Sequence, residues 1–163
     1  MAAEQAGIAP IPDFNTGDNE GSSYFQVNQR SGVRWNASKA FLRPIANRAN
    51  LTVLTNVEAL RVLLENGRAA GLEVNWQGAR RELRARREVI ICAGAINTPK
   101  LLMLSGIGPA DHLREMGIEV RVDSPGVGAN LQDHPEAVIS WESTQKMTRE
   151  STQWWEIGIF SPT

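Results

Sequence analysis

The sequence predicts a mixed α/β chain, and three observations carry that prediction. Asn66-Gly67 and Gln77-Gly78 separate three strand-like runs, an unbroken apolar run from Glu88 to Ala95 follows them, and a leucine-rich stretch opens directly afterwards on Thr98-Pro99. Asn-Gly between apolar runs marks a tight hairpin, because both residues accept positive φ. The order is therefore an antiparallel meander, then strand, tight turn and helix.

Residues 1 to 21 hold a short alanine-rich piece and then Pro10, Pro12, Asp13, Asn15, Gly17, Asp18 and Asn19, all loop formers. A helix this short at the first residue cannot stand alone, so the chain reads as beginning inside a larger protein. Tyr24 to Gln29 reads as a strand. Ala37 to Asn47 reads as a helix, with Ala40, Phe41 and Ile45 on one side, ending or kinking at Pro44 because proline lacks a backbone donor.

Leu51 to Thr55 is a short apolar, β-branched run. In the meander, Val57 to Leu64 comes first, and Leu72, Val74 and Trp76 then alternate with Glu73 and Asn75. In the third run, Leu83 and Ala85 alternate with Glu82, Arg84 and Arg86. The run through Val89, Ile90, Ile91 and Cys92 does not alternate, which predicts a central strand covered on both faces. Thr98 is placed as N-cap and Pro99 as first helical residue, with Gly106 closing the helix. A second helix runs from Pro109 to Met116, Ile118 to Val122 alternates as a half-buried strand, and Asp123 to Pro135 is a loop. Ala137 to Trp141 reads as a strand, ahead of a polar stretch and Trp154-Trp155.

Composition narrows the function classes. The 163 residues carry 17 basic and 18 acidic side chains, a formal charge of −1, with 42% apolar residues. A balance this even supplies no whole-chain field for a polyanion. A single cysteine, Cys92, excludes an internal disulfide framework and points to a cytoplasmic protein. No apolar run approaches the roughly 20 residues of a membrane-spanning helix, and the N-terminus lacks a signal-peptide plan.

Several constellations compete. Ala93-Gly94-Ala95 puts small residues at the carboxyl end of the predicted central strand, where open α/β sheets bind ligands, and leaves room for a cofactor to approach the backbone. Neither Gly106-Ile-Gly108 nor Gly126-Val-Gly128 continues as G-x-G-x-x-G. The stretch from Leu104 to Leu113 instead resembles a helix-hairpin-helix that grips nucleic-acid phosphates, although Asp111 and Glu115 oppose that reading. Arg80, Arg81, Arg84, Arg86 and Arg87 read as a solvated strand face partly neutralised by Glu82 and Glu88. His112 and His134 make no metal spacing, no serine has a nucleophile-elbow context, and Cys92 reads as a small core residue.

The fifteen residues from Gly94 to Gly108, Gly-Ala-Ile-Asn-Thr-Pro-Lys-Leu-Leu-Met-Leu-Ser-Gly-Ile-Gly, resemble the second signature of the glucose-methanol-choline family of FAD-dependent oxidoreductases. Asp13-Phe-Asn15, Arg34 through Leu42, Asn50 to Thr55 and Gly126 to His134 resemble family blocks in the same order, most of all those of choline-dehydrogenase-like members. The resemblance implies part of an FAD/NAD(P)-binding Rossmann-like domain with a three-stranded β-meander, plus pieces of an α+β substrate-binding domain. Residues 1–30 would be a connecting or substrate-domain segment, 31–134 the FAD-binding portion, and 135–163 the start of the substrate-binding domain.

Carried over by position, the resemblance implies that Ala59 offers backbone groups to the adenine and that Ala93 and Gly94 line the ADP portion of FAD. It places Asn130 and His134 on the flavin side. It implies oxidation of a small-molecule alcohol to an aldehyde by hydride transfer to FAD, with no nucleic-acid partner and no membrane segment. The family's G-x-G-x-x-G strand and its catalytic histidine pair have no counterpart in these residues, which implies an internal fragment with no catalytic residue of its own, no turnover in isolation and at best weak flavin affinity. A helix-hairpin-helix module over residues 99–117, or a noncatalytic relic of the same fold, are the alternatives.

Overall fold

The computed structural model describes residues 2–140, 142, 144 and 157–160. The chain divides into two compact units, Met1–Thr52 with Ile139–Thr163, and Val53–Val138.

In the first unit, α1 (Ala2–Gln5) leads into a loop, β1 (Gly21–Tyr24) and a small hairpin of β2 (Gln29–Arg30) and β3 (Val33–Arg34). β1 pairs antiparallel with the strand Ile157–Phe160. The rings of Phe14, Phe25 and Phe160 pack at the end of this ladder, with Phe14 5.3 Å from Phe25 and 5.0 Å from Phe160. Strand structure thus falls at Gly21–Tyr24 and Gln29–Arg30, not at Tyr24 to Gln29: β1 goes where a distant partner lies. The predicted helix is a π-type turn over Ser38–Leu42 followed by a 3₁₀ turn over Arg43–Ile45. Pro44 accounts for the change, because it has no N–H to donate to Ala40.

The second unit is built on the predicted meander. β4 (Val57–Glu65), β5 (Arg68–Trp76) and β6 (Ala79–Arg84) form one antiparallel sheet in that order. Both turns have the positive-φ pair of a two-residue hairpin, with Asn66 at 50° and Gly67 at 74°, then Gln77 at 55° and Gly78 at 76°. Val62 and Val74 are buried, as the alternation requires. A bulge at Leu60 shifts the β4–β5 register, since Ala59 faces Val74 while Arg61 faces Glu73.

α2 (Gly94–Leu104) follows, then β7 (Ile107–Gly108), α3 (Ala110–Glu115) and β8 (Val122–Asp123), which pairs parallel with β7. Gly106, at φ 81°, ends α2 as predicted, and Gly117, at φ 69°, follows α3. Leu101 on α2 and the fully buried Leu113 on α3 are core residues of this unit.

Several expectations are corrected. The run from Glu88 to Ala95 is not a strand: residues 88–93 join no ladder, Ile90 is 75% exposed and Cys92 is exposed, not a core residue. A strand needs a hydrogen-bonding neighbour as well as an apolar sequence, and no described strand lies against this run. Of Ile118 to Val122 only Val122 joins a ladder. α2 starts at Gly94, with Ala93 as N-cap, so Pro99 sits inside it. Val138 and Ile139 are exposed and outside any strand, while Trp141, Trp154 and Trp155 lie outside the described residues.

Candidate functional site

The first turn of α2 opens without a side-chain cap. Thr98 Oγ1 reaches back to accept the Ala93 N–H at 3.2 Å, so the threonine does satisfy one orphan donor, from inside the helix. The N–H groups of Gly94, Ala95 and Ile96 have no intrahelical acceptor, no acidic side chain occupies the turn, and the positive end of the helix is left open to an anion. Gly94 adopts φ 85°, and a Cβ built on it meets nothing within 4 Å. The backbone here is bare and approachable.

Two cavities flank this turn. The smaller, of about 350 Å³, has Glu58, Ala59 and Leu60 of β4 on one side and Ala93, Asn97 and Lys100 on the other. The larger, of about 1170 Å³, is bordered by Gly94, Ile96 and Met103 and by Val127, Asn130 and Leu131 of the following loop, and it is mainly apolar. Ala59 and Ala93, far apart in sequence, therefore share one cleft, and Gly94 and Asn130 share the other. His134 lines neither; it is exposed, and its N–H donates to Asp133 Oδ1 at 2.8 Å. Asn97 and Lys100 are additions to the residues singled out by sequence. Their signal was available, since Ala93, Asn97, Lys100, Leu101 and Leu104 recur at helical spacing on one face. Lys100 borders both cavities and adds a cation beside the open helix end.

The rival reading of residues 99–117 is not favoured by its donors. Gly106 N–H donates to Met103 O at 2.9 Å, Ile107 and Gly108 pair with β8, and Gly106 and Gly108 are buried. The Gly106 amide, one of those that would grip a phosphate, is thus already used inside the fold. The arginines of β6 are exposed, and their partners are only in part those expected: Arg84 bonds Glu82 and also Glu65, Arg80 bonds Glu73 at 3.3 Å, and Arg86 and Arg87 lie past the end of the strand. The hydrogen bonds that Arg84 donates, to Glu65 first and then to Glu82, raise its guanidinium pKa above the ordinary value. Among the described residues no cluster of three or more His, Cys, Asp or Glu side chains could hold a metal, and no helix is long and apolar enough to cross a membrane.

The family model described as GMC oxidoreductase matches residues 1–136. The chain belongs to the GMC oxidoreductase family. It is 52% identical over 168 aligned residues to the choline oxidase of Arthrobacter globiformis, a match that covers 99% of this chain and 31% of that protein. The chain thus spans about three tenths of the length of this curated relative. Among solved structures, a fungal aryl-alcohol oxidase superposes with a TM-score of 0.74 at 37% identity, over 81% of this chain and 23% of that one. An FAD-dependent oxidoreductase from Chaetomium thermophilum superposes with a TM-score of 0.70 at 29% identity, over 77% and 22%. The fold is accordingly part of the α/β FAD-binding architecture of this family, and the family cofactor is FAD.

The residues present fit that cofactor. FAD combines a planar base, a diphosphate and a long mostly planar body, and this unit offers a narrow cleft between Ala59 and Ala93, uncapped amides beside Lys100, and a roomy apolar cavity. A side chain at Gly94 would project into open space at the helix start, which is where a ligand backbone needs clearance.

Proposed function

We propose that this chain supplies the nucleotide-holding part of a flavin enzyme that oxidises a small alcohol to its aldehyde. The observation that carries the reading is the apposition of Ala59 and Ala93 across one cleft at the uncapped start of α2. In it, the adenine lies between β4 and α2, the phosphates approach the amides of Gly94 and Ala95 beside Lys100, and Asn130 and His134 stand toward the flavin. Bound FAD supplies the hydride acceptor. The chain's own residues bind and orient the cofactor and keep water from the apolar cavity. No residue here is assigned the proton of the alcohol.

The substrate class follows from relatives named for choline and aryl-alcohol oxidation, and with 52% identity to the former a choline-like alcohol is the first candidate. The proposal places residues 31–134 in the FAD-binding domain, 1–30 and 135–163 with the substrate domain, and the protein in the cytoplasm, in keeping with its single cysteine.

Equilibrium dialysis of the 163-residue chain against FAD, ADP and FMN tests the reading. In keeping with the weak flavin affinity expected of the isolated chain, FAD and ADP bind weakly but measurably and FMN is held least, because the assigned contacts are to the ADP half. Retention of FMN alone, or of none of the three, overturns it.

A further inference from the structure

Ser105, the residue just past α2, is only 8% exposed. Its hydroxyl donates to Leu101 O at 2.6 Å and accepts the Val62 N–H at 2.7 Å. The first bond is a local back-bond in the last helical turn. The second joins residues 43 apart in sequence. Val62 lies on β4, an edge of the meander whose one strand neighbour among the described residues is β5, so the serine hydroxyl takes the place that a further strand's carbonyl would fill. Val62 is 5% exposed, and without that acceptor its outward N–H would be buried and unpaired.

The bond also has a position in the site. Three residues before Val62, across the Leu60 bulge, stands Ala59, one wall of the smaller cleft; α2, the other wall, ends one residue before Ser105. Ser105 borders neither cavity flanking the start of α2. We infer that Ser105 is a positioning residue for the nucleotide: through Val62 it fixes the setting of β4 against α2 and so the width of the gap between Ala59 and Ala93. The inference rests on the reading that this cleft takes the adenine.

ADP affinity measured by calorimetry, together with amide exchange at Val62, tests it on the full chain, with Ser105→Ala, Ser105→Thr and Ser105→Cys. Leu113→Val, a core change outside both cavities, serves as a stability control. Ser105→Ala exposes the Val62 amide to exchange and weakens ADP binding about tenfold at a temperature where it is fully folded. Ser105→Thr, which keeps the hydroxyl, restores affinity to within about twofold, while Leu113→Val loses stability but not affinity. If Ser105→Ala does not fold, Ser105→Cys, of similar size but a weaker acceptor, shows the same loss in reduced measure. Wild-type binding of ADP with unchanged affinity in Ser105→Ala, or in Ser105→Cys should that alone fold, overturns this inference and leaves the reading of the cleft standing. Failure of the wild type to bind ADP overturns both.

Discussion

Glu73 on β5 and Arg61 on β4 are register partners, and their side chains are joined across the sheet. The carboxylate is 11% exposed, whereas the guanidinium is 58% exposed, and Arg80 bonds the other carboxylate oxygen at 3.3 Å. The two ends of the pair are therefore unequal. Glu73→Ala removes the acceptor of two charge-assisted bonds and opens a gap in the sheet, at about 1.5–3 kcal/mol. Arg61→Ala leaves Glu73 its second partner and costs under about 1 kcal/mol. Urea unfolding of both variants checks the order, and equal losses would contradict it.

Leu113 is fully buried where α3 meets β7 and α2. Leu113→Ala is expected to cost about 2–5 kcal/mol through the cavity it leaves. Leu104, 45% exposed at the end of α2, is expected to cost well under that when cut to alanine. Thermal melts of the two variants give the comparison.

Gly106 combines φ 81° with a crossing chain. A Cβ there would sit 2.4 Å from Glu119 O and 2.7 Å from Arg121 Cγ. Gly106→Ala is expected to cost about 2 kcal/mol or more, since left-handed strain and a backbone clash add. Gly126, whose Cβ would meet nothing within 4 Å, tolerates alanine within about 0.5 kcal/mol. The same denaturation series ranks them.

Gly94 separates stability from binding. Because a Cβ there points into open space, Gly94→Val costs only the left-handed strain, about 1–2 kcal/mol. On the proposed reading it also closes the approach to the helix start, and FAD retention falls by about tenfold or more. Dialysis run below the melting temperature of the variant measures this. Retention equal to wild type would remove Gly94 from the contact surface.

The meander was legible because its information is local. Asn66-Gly67 and Gln77-Gly78 specify the turns, and the alternation marks the strand, with Val74 buried and Leu72 and Trp76 half-buried, although Glu73 on the other face is buried as well. The run through Ile90 and Cys92 was not, because apolarity records what a segment would bury and says nothing of where its ladder partner is. The start of α2 was displaced for a related reason. Thr98-Pro99 has the chemistry of a helix opening, yet the hydroxyl works backwards on Ala93 and the helix has already begun at Gly94.

The site was legible in part. The Gly94 to Gly108 signature identified the family and its cofactor, and the structure brings Ala59 to Ala93 across a cleft that no local pattern could have closed. Asn97 and Lys100 were recoverable from helical spacing alone. Ser105 was not, since its partner Val62 lies on a strand 43 residues away and nothing near either residue marks the bond.

The most direct test of the central claim is an amide-resolved NMR titration of the chain with ADP. The account predicts that the largest shifts fall on residues 58–60 and 93–97, with Val127 to Asn130 responding only when FAD replaces ADP. Shifts confined to the arginine-bearing strand β6, or no shifts at all, would contradict it.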